Sequence, residues 1–133
     1  VSIETEIRAR LVADATIAAL AKSGSVTRIY ALFLPQDPTL PAITYQRISG
    51  PRIQELNAAT EWGRARIQYD CWSTTYLGAQ TLAAAVRRSL NGHVGKLATL
   101  KVGIRLDNER DLYEDELNIF RISQDYTVVH TET

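Results

Sequence analysis

The chain is poor in the residues from which most chemical sites are built. It holds one cysteine and two histidines in 133 residues. A single cysteine excludes an intramolecular disulfide and any zinc site made of clustered cysteines. His93 and His130 have no second ligand type at metal spacing, so they read as a turn residue and part of a polar, fraying end. Net charge is absent as well. Fifteen basic and fifteen acidic side chains cancel, which removes any general pull toward nucleic acid or an anionic membrane. No apolar run approaches the ~18 residues of a membrane span. The opening VSIETEIRAR lacks a signal-peptide core, so synthesis and assembly in the cytoplasm are expected.

Motifs of catalysis are missing too. There is no nucleophile elbow, no GxGxxG and no P-loop. Asp111, Glu114, Asp115 and Glu116 offer carboxylates to a cation, but without the spacing or central glycine of an EF-hand loop. No catalytic residue, metal or cofactor is expected, and the chain does not read as an enzyme.

What remains is an ordinary globular composition, 45% hydrophobic and 23% charged, at a length that suits one domain over residues 1–133. The most informative stretch is EWGRARIQYDCWS, Glu61 to Ser73. Gly63, Ala65, Ile67, Tyr69 and Cys71 alternate with Trp62, Arg64, Arg66, Gln68, Asp70 and Trp72. This period of two predicts a strand with a small-apolar face and a charged face bracketed by tryptophans. Cys71 falls on the apolar side and reads as a small buried hydrophobe. Arg64 and Arg66 could grip a phosphate or carboxylate, or pair across the sheet with Asp70 or Asp125.

The other elements follow in order. Ser2 to Ala21 reads as one helix, capped by Ser2, with an apolar stripe of Ile3, Ile7, Leu11, Ala15, Ala18 and Ala19. Lys22 to Ser25 ends it. Arg28 to Leu34 and Ala42 to Ser49 read as strands, joined by the proline-rich PQDPTLP, a stiff surface connection. Arg52 to Thr60 has no clear period and reads as a long hairpin connection. A second helix spans Thr75 to Asn91, with Ala79, Leu82, Ala83, Val86 and Leu90 inward and Ser89 among the residues facing water. HVGKLA reads as a turn. Thr99 to Asp107 alternates as a strand, with Leu100, Val102, Ile104 and Leu106 inside. DNERDLYEDE then reads either as a solvated turn or as an exposed acidic loop anchored by Tyr113, suited to a neighbour's basic surface. A last strand, Leu117 to Val129, puts Phe120, Ile122, Tyr126 and Val128 on one face and Arg121, Ser123, Asp125 and Thr127 on the other.

The predicted order is α-β-β-β-α-β-β. That is an α+β fold, two helices on one face of a four- to five-stranded, mostly antiparallel sheet. The opposite face is left open and carries Arg64, Arg66, Gln68, Asp70, Lys101, Arg105, Arg121 and Asp125.

Several segments, in order along nearly the whole chain, resemble a known family. They are Arg28-Ile29-Tyr30, Leu34-Pro35-Gln36, and Leu40-Pro41-Ala42 leading into Tyr45-Gln46-Arg47-Ile48-Ser49-Gly50. Gln68-Tyr69-Asp70-Cys71-Trp72 with its following helix comes next, then Glu109-Arg110-Asp111-Leu112-Tyr113-Glu114. Together they resemble the tail completion or tail terminator (head-to-tail joining) proteins of long-tailed bacteriophages and prophages. Only Arg52 to Thr60 is unconstrained by the pattern. The resemblance implies a structural virion protein of the tail neck, forming a hexameric ring on the completed tail tube. Its implied partners are the major tail tube protein and the head connector or stopper protein. Double-stranded DNA would pass through the lumen without sequence-specific binding, and no membrane is involved. The candidate subunit, tail or connector interface is then Trp62, Arg64, Arg66, Asp70, Trp72, Arg105 and Arg121 on the sheet. Glu109, Arg110, Asp111, Tyr113 and Glu114 would be its acidic counterpart.

Two other readings stand beside this one. A free-standing α+β module could bind a ligand or peptide on its open face. A single-stranded nucleic-acid binder could stack bases on Trp62, Tyr69 or Trp72, although Tyr69 is predicted to point toward the helices.

Overall fold

The computed structural model describes residues 2–23, 25–36, 38–49, 52–54, 59–116 and 118–131. The chain opens with two helices, α1 (Ile3–Ala13) and α2 (Ala15–Ala21), where the sequence suggests one. Asp14 divides them. Its backbone is extended, and its carboxylate accepts from the amides of Thr16 and Ile17 at 2.9 and 3.1 Å, capping α2. The break resets the helical phase. Ile3, Ile7 and Leu11 are buried from α1 as expected, but Ile17 and Ala21 take over from α2, while Ala15 and Ala19 are exposed.

A two-residue hairpin follows, β1 (Lys22–Ser23) with β2 (Val26–Thr27). The main sheet holds seven strands. β3 (Ile29–Ala31), β4 (Ala42–Ser49), β6 (Ala59–Ser73), β9 (Ile119–Thr131), β8 (Leu100–Glu114) and β7 (Val94–Leu97) lie side by side in that order, and β5 (Arg52–Gln54) also pairs with β6. β3 and β4 run parallel and all other pairs are antiparallel, so the sheet is mixed and larger than the sequence predicts. Between Thr75, its N-cap, and Asn91, α3 (Tyr76–Leu90) matches the expected second helix. Ser89 is buried rather than solvated, and its carbonyl accepts from Arg10 Nε at 2.9 Å, tying α1 to the end of α3.

Two segments expected to be turns are strands. HVGKLA contains β7, and DNERDLYEDE forms the second half of β8 and the turn beyond it. The irregular stretch 52–60 contains β5 and the start of β6; residues 55–58 lie outside the described residues.

All three helices cover one face of the sheet. The core there joins Ile7, Leu11 and Ile17 to Leu82, Val86 and Leu90 of α3 and to Ala65, Ile67, Tyr69 and Cys71 of β6. Tyr69 packs edge-on against Tyr126 at 5.8 Å, which removes it from any base-stacking role. Burial pushes the Cys71 thiol well up, so it is an inert core side chain. His130 is buried in β9 rather than in a frayed end.

Because the Asp14 side chain holds two amide donors at the start of α2, Asp14→Ala is expected to destabilise the domain by about 1 kcal/mol. An unchanged urea midpoint would show that the cap is dispensable.

Candidate functional site

The open face is built from register. β6 pairs with β9 from Trp62 opposite Thr131 to Ser73 opposite Phe120, without a slip. Directly opposite residues share a face. Arg64, Arg66, Gln68, Asp70 and Trp72 therefore sit beside Val129, Thr127, Asp125, Ser123 and Arg121. β4 adds Thr44 beside Asp70, and β8 adds Arg105 beside Thr127 and Arg110 beside Ser123.

An irregularity between Leu106 and Asn108 decides where the charged residues of β8 point. Before it the even-numbered residues face the helices; after it the odd-numbered ones do. Arg110, Leu112 and Glu114 therefore share the open face, whereas Glu109, Asp111 and Tyr113 turn to the helix side. The acidic segment is not a single surface.

On the helix side these residues form their own cluster. Glu109 pairs with Arg87 at 3.2 Å and accepts from Gln124 Nε2 at 2.7 Å. Gln124, fully buried, also donates to the Ala83 carbonyl at 3.0 Å and accepts from Tyr126 Oη at 2.9 Å. Nothing in the sequence reading singled it out, although its phase on β9 puts it on the inner face. Asp111 accepts from the Tyr76 hydroxyl, which raises the Tyr76 pKa. Tyr113 packs against Phe120 with ring centres 4.8 Å apart and the rings tilted by 48°.

The open face itself divides into two regions. Toward the β8–β9 turn its charges are paired. Arg121 lies 3.0 Å from Glu114 and 3.6 Å from Asp70, with its guanidinium 5.1 Å from the centre of the Trp72 ring. Trp72 Nε1 donates to Thr44 Oγ1 at 2.9 Å. Gln68 donates to both oxygens of Asp70, and Arg110 bridges Asp125 at 3.1 Å and Gln68 at 3.5 Å. These long side chains roof the sheet so well that Ser123 is 0% and Asp125 only 7% exposed.

The other region is basic. Arg64, Arg66 and Arg105 line an open concavity of about 530 Å³ with Asp107, Thr127 and Val129. Arg105 pairs with Asp107 at 2.9 Å. A hydrogen bond from Thr127, then Arg105, with Arg66 nearby, holds the Asp107 carboxyl below its usual value against the opposing effect of burial. Among the described residues Arg64 and Arg66 form no ion pair; Asp70 and Asp125, their expected partners, are taken by Arg121 and Arg110. The Trp62 backbone pairs with Thr131, and its side chain lies outside the described residues. No group of three or more His, Cys, Asp or Glu able to hold a metal occurs among the described residues, the Asp111 to Glu116 carboxylates included.

A family model for tail completion protein gp17 matches residues 5–131. The chain belongs to that family. It is a structural protein of phage-like tails. No curated protein matches it in sequence. The fold recurs in a chain of the solved "Virion of native gene transfer agent (GTA) particle". The TM-score is 0.79 at 16% identity, over 98% of this chain and 95% of that one. At such identity the likeness is one of fold.

The two regions of the open face should separate in stability. Arg110→Ala strips the partner from nearly buried Asp125 and is expected to cost about 1–2 kcal/mol in urea unfolding. Arg64→Ala removes no ion pair or side-chain hydrogen bond among the described residues and should stay within about 0.5 kcal/mol of the parent. Equal effects would contradict the division.

Proposed function

We propose that the chain forms a closed ring of six copies at the head-proximal end of the tail. There it ends the tail tube and joins it to the head connector, leaving a lumen for double-stranded DNA. The observation that carries this reading is the pair of arginines, Arg64 and Arg66, that form no ion pair among the described residues, on an open sheet face of a tail completion family member. Arg66 lies near the Asp107 carboxylate, which Arg105 already pairs, and a neutral chain has little general affinity for DNA.

A closed ring needs two different, mutually complementary surfaces on every subunit. Arg64, Arg66 and Arg105 supply a basic one. The acidic end of β8 supplies the other. Within it Glu109, Asp111 and Glu114 already have internal partners, while Asp115 and Glu116, in the turn, are exposed and form no ion pair among the described residues. The basic patch and this turn lie at opposite ends of the β8–β9 hairpin, as a head-to-tail contact requires. The roofed network of Trp72, Asp70, Arg110 and Arg121 is a preorganised platform beside the contact, and Tyr113 an aromatic flank. The major tail tube protein and the connector or stopper protein then meet the two rims of the ring. DNA passes without sequence-specific contacts, in the neck of a particle assembled in the host cytoplasm.

A specific observation also favours a second reading. The arginine-lined concavity would suit a free-standing module that binds an anionic ligand.

Charge reversal tests the arginine contact. The Arg64→Glu, Arg66→Glu double variant should shift the assembly toward monomer in sizing and lose most of its salt sensitivity. An unchanged hexamer would remove the arginines from the interface.

A further inference from the structure

The ring reading leaves unexplained an apolar slot beside the arginine patch and a strained, exposed apolar turn at the opposite edge of the sheet. The slot has a simple origin in register. Val94 on β7, Gly103 on β8 and Val129 on β9 lie directly opposite one another and, with Arg64, make one row across the open face. Gly103 has no side chain, and a Cβ built there would meet nothing within 4 Å. The row is therefore two valines with a gap between them. Around it lies a groove of about 450 Å³, its walls almost wholly apolar, framed by Lys96 and Lys101. Val94 is 83% exposed, on the outermost strand. This slot adjoins the basic concavity, since Val129 lines both.

The other feature follows β3, the outermost strand on the far side. Leu32 has φ of 72°, a left-handed conformation that a bulky residue rarely adopts. The Phe33 amide donates to the Ala31 carbonyl at 2.9 Å, closing a three-residue turn with Leu32 at its centre. Such a turn with positive φ is rare and strained. It is held in place by the Leu32 amide, which donates to Tyr45 O on β4 at 2.8 Å. Its effect is to present two large apolar side chains to solvent, Leu32 at 65% and Phe33 at 74% exposure. Neither belongs to the core, so folding of the single chain gains little from them.

We propose that the Val94–Gly103–Val129 slot receives Phe33, flanked by Leu32, of a second copy of this chain. A knob on one edge of a sheet and a matching hole on the opposite edge of the same sheet cannot meet within one molecule. Between copies they make a heterologous contact that repeats head to tail, and a closing rotation turns it into a ring. On the slot side the contact lies next to the basic concavity and adds an apolar anchor, as buried aromatic side chains do in protein interfaces. The proposal rests on the ring reading and names its hydrophobic anchor.

Two variants and their mixture test it. Phe33→Ser removes the knob, and Gly103→Val fills the slot at a position with open space and no positive φ. Each alone is expected to keep the parent melting temperature and to reduce the assembly to the 14.8 kDa monomer. Mixed together they should form a one-to-one pair and nothing larger. The Phe33→Ser copy still offers a slot, and the Gly103→Val copy still offers a knob. A ring that survives either variant, or a mixture that forms no pair, overturns this contact while leaving a ring on other surfaces. A parent chain that is itself monomeric overturns the ring reading, and this proposal with it.

Discussion

The structure depends on the pairing of β6 with β9, from Trp62 opposite Thr131 to Ser73 opposite Phe120. Because side chains alternate along a strand, this one register puts Ala65, Ile67, Tyr69 and Cys71 beside Val128, Tyr126, Gln124 and Ile122 under the helices. It also lines up Arg64, Arg66, Asp70, Arg121 and Asp125 on the other side. A slip by one residue would bury the arginines and expose the core, so the burial of one face enforces the composition of the other. The helices cover one face, and the charged residues of β6 and β9 gather on the other.

That face does not simply carry charges into water. Trp72, Arg121, Gln68 and Arg110 lie over it and shield Asp70, Ser123 and Asp125 from solvent. Hydrogen bonds and ion pairs restrain Gln68, Asp70, Trp72, Arg110 and Arg121, and restrained side chains lower the conformational cost of meeting a partner. Arg64 and Arg66 lie beyond this roof, with no ion pair among the described residues. The paired network, the basic patch and the apolar slot together make a graded surface of the kind that docks against another protein.

The strand from Glu61 to Ser73 was legible because its alternation is uninterrupted, and α3 because its apolar spacing runs from Ala79 to Leu90 without a break. The remaining elements were hidden by local events that pattern does not carry. Asp14 looks like a polar residue within an alanine-rich helix until its carboxylate is seen capping a second one. The end of β8 shows no single period because the irregularity near Asp107 exchanges its faces. A strand whose inner side chains are Glu109 and Asp111 also does not look like a strand; its partners Gln124, Arg87 and Tyr76 supply what apolar burial normally would. β5 and β7 are too short to show periodicity and form only because β6 and β8 template them. In the candidate site, the sequence identified the arginines but not their freedom. Which acid pairs with which arginine is set by register across three strands, and β9 gives Asp125 to Arg110 rather than to Arg66.

The proposed ring assembles identical copies through the open sheet face and the sheet edges. Native mass measurement of the unmodified chain over a range of concentrations tests it most directly. The account predicts a dominant closed species of six subunits, each of 14.8 kDa. A single 14.8 kDa species at every concentration would contradict it.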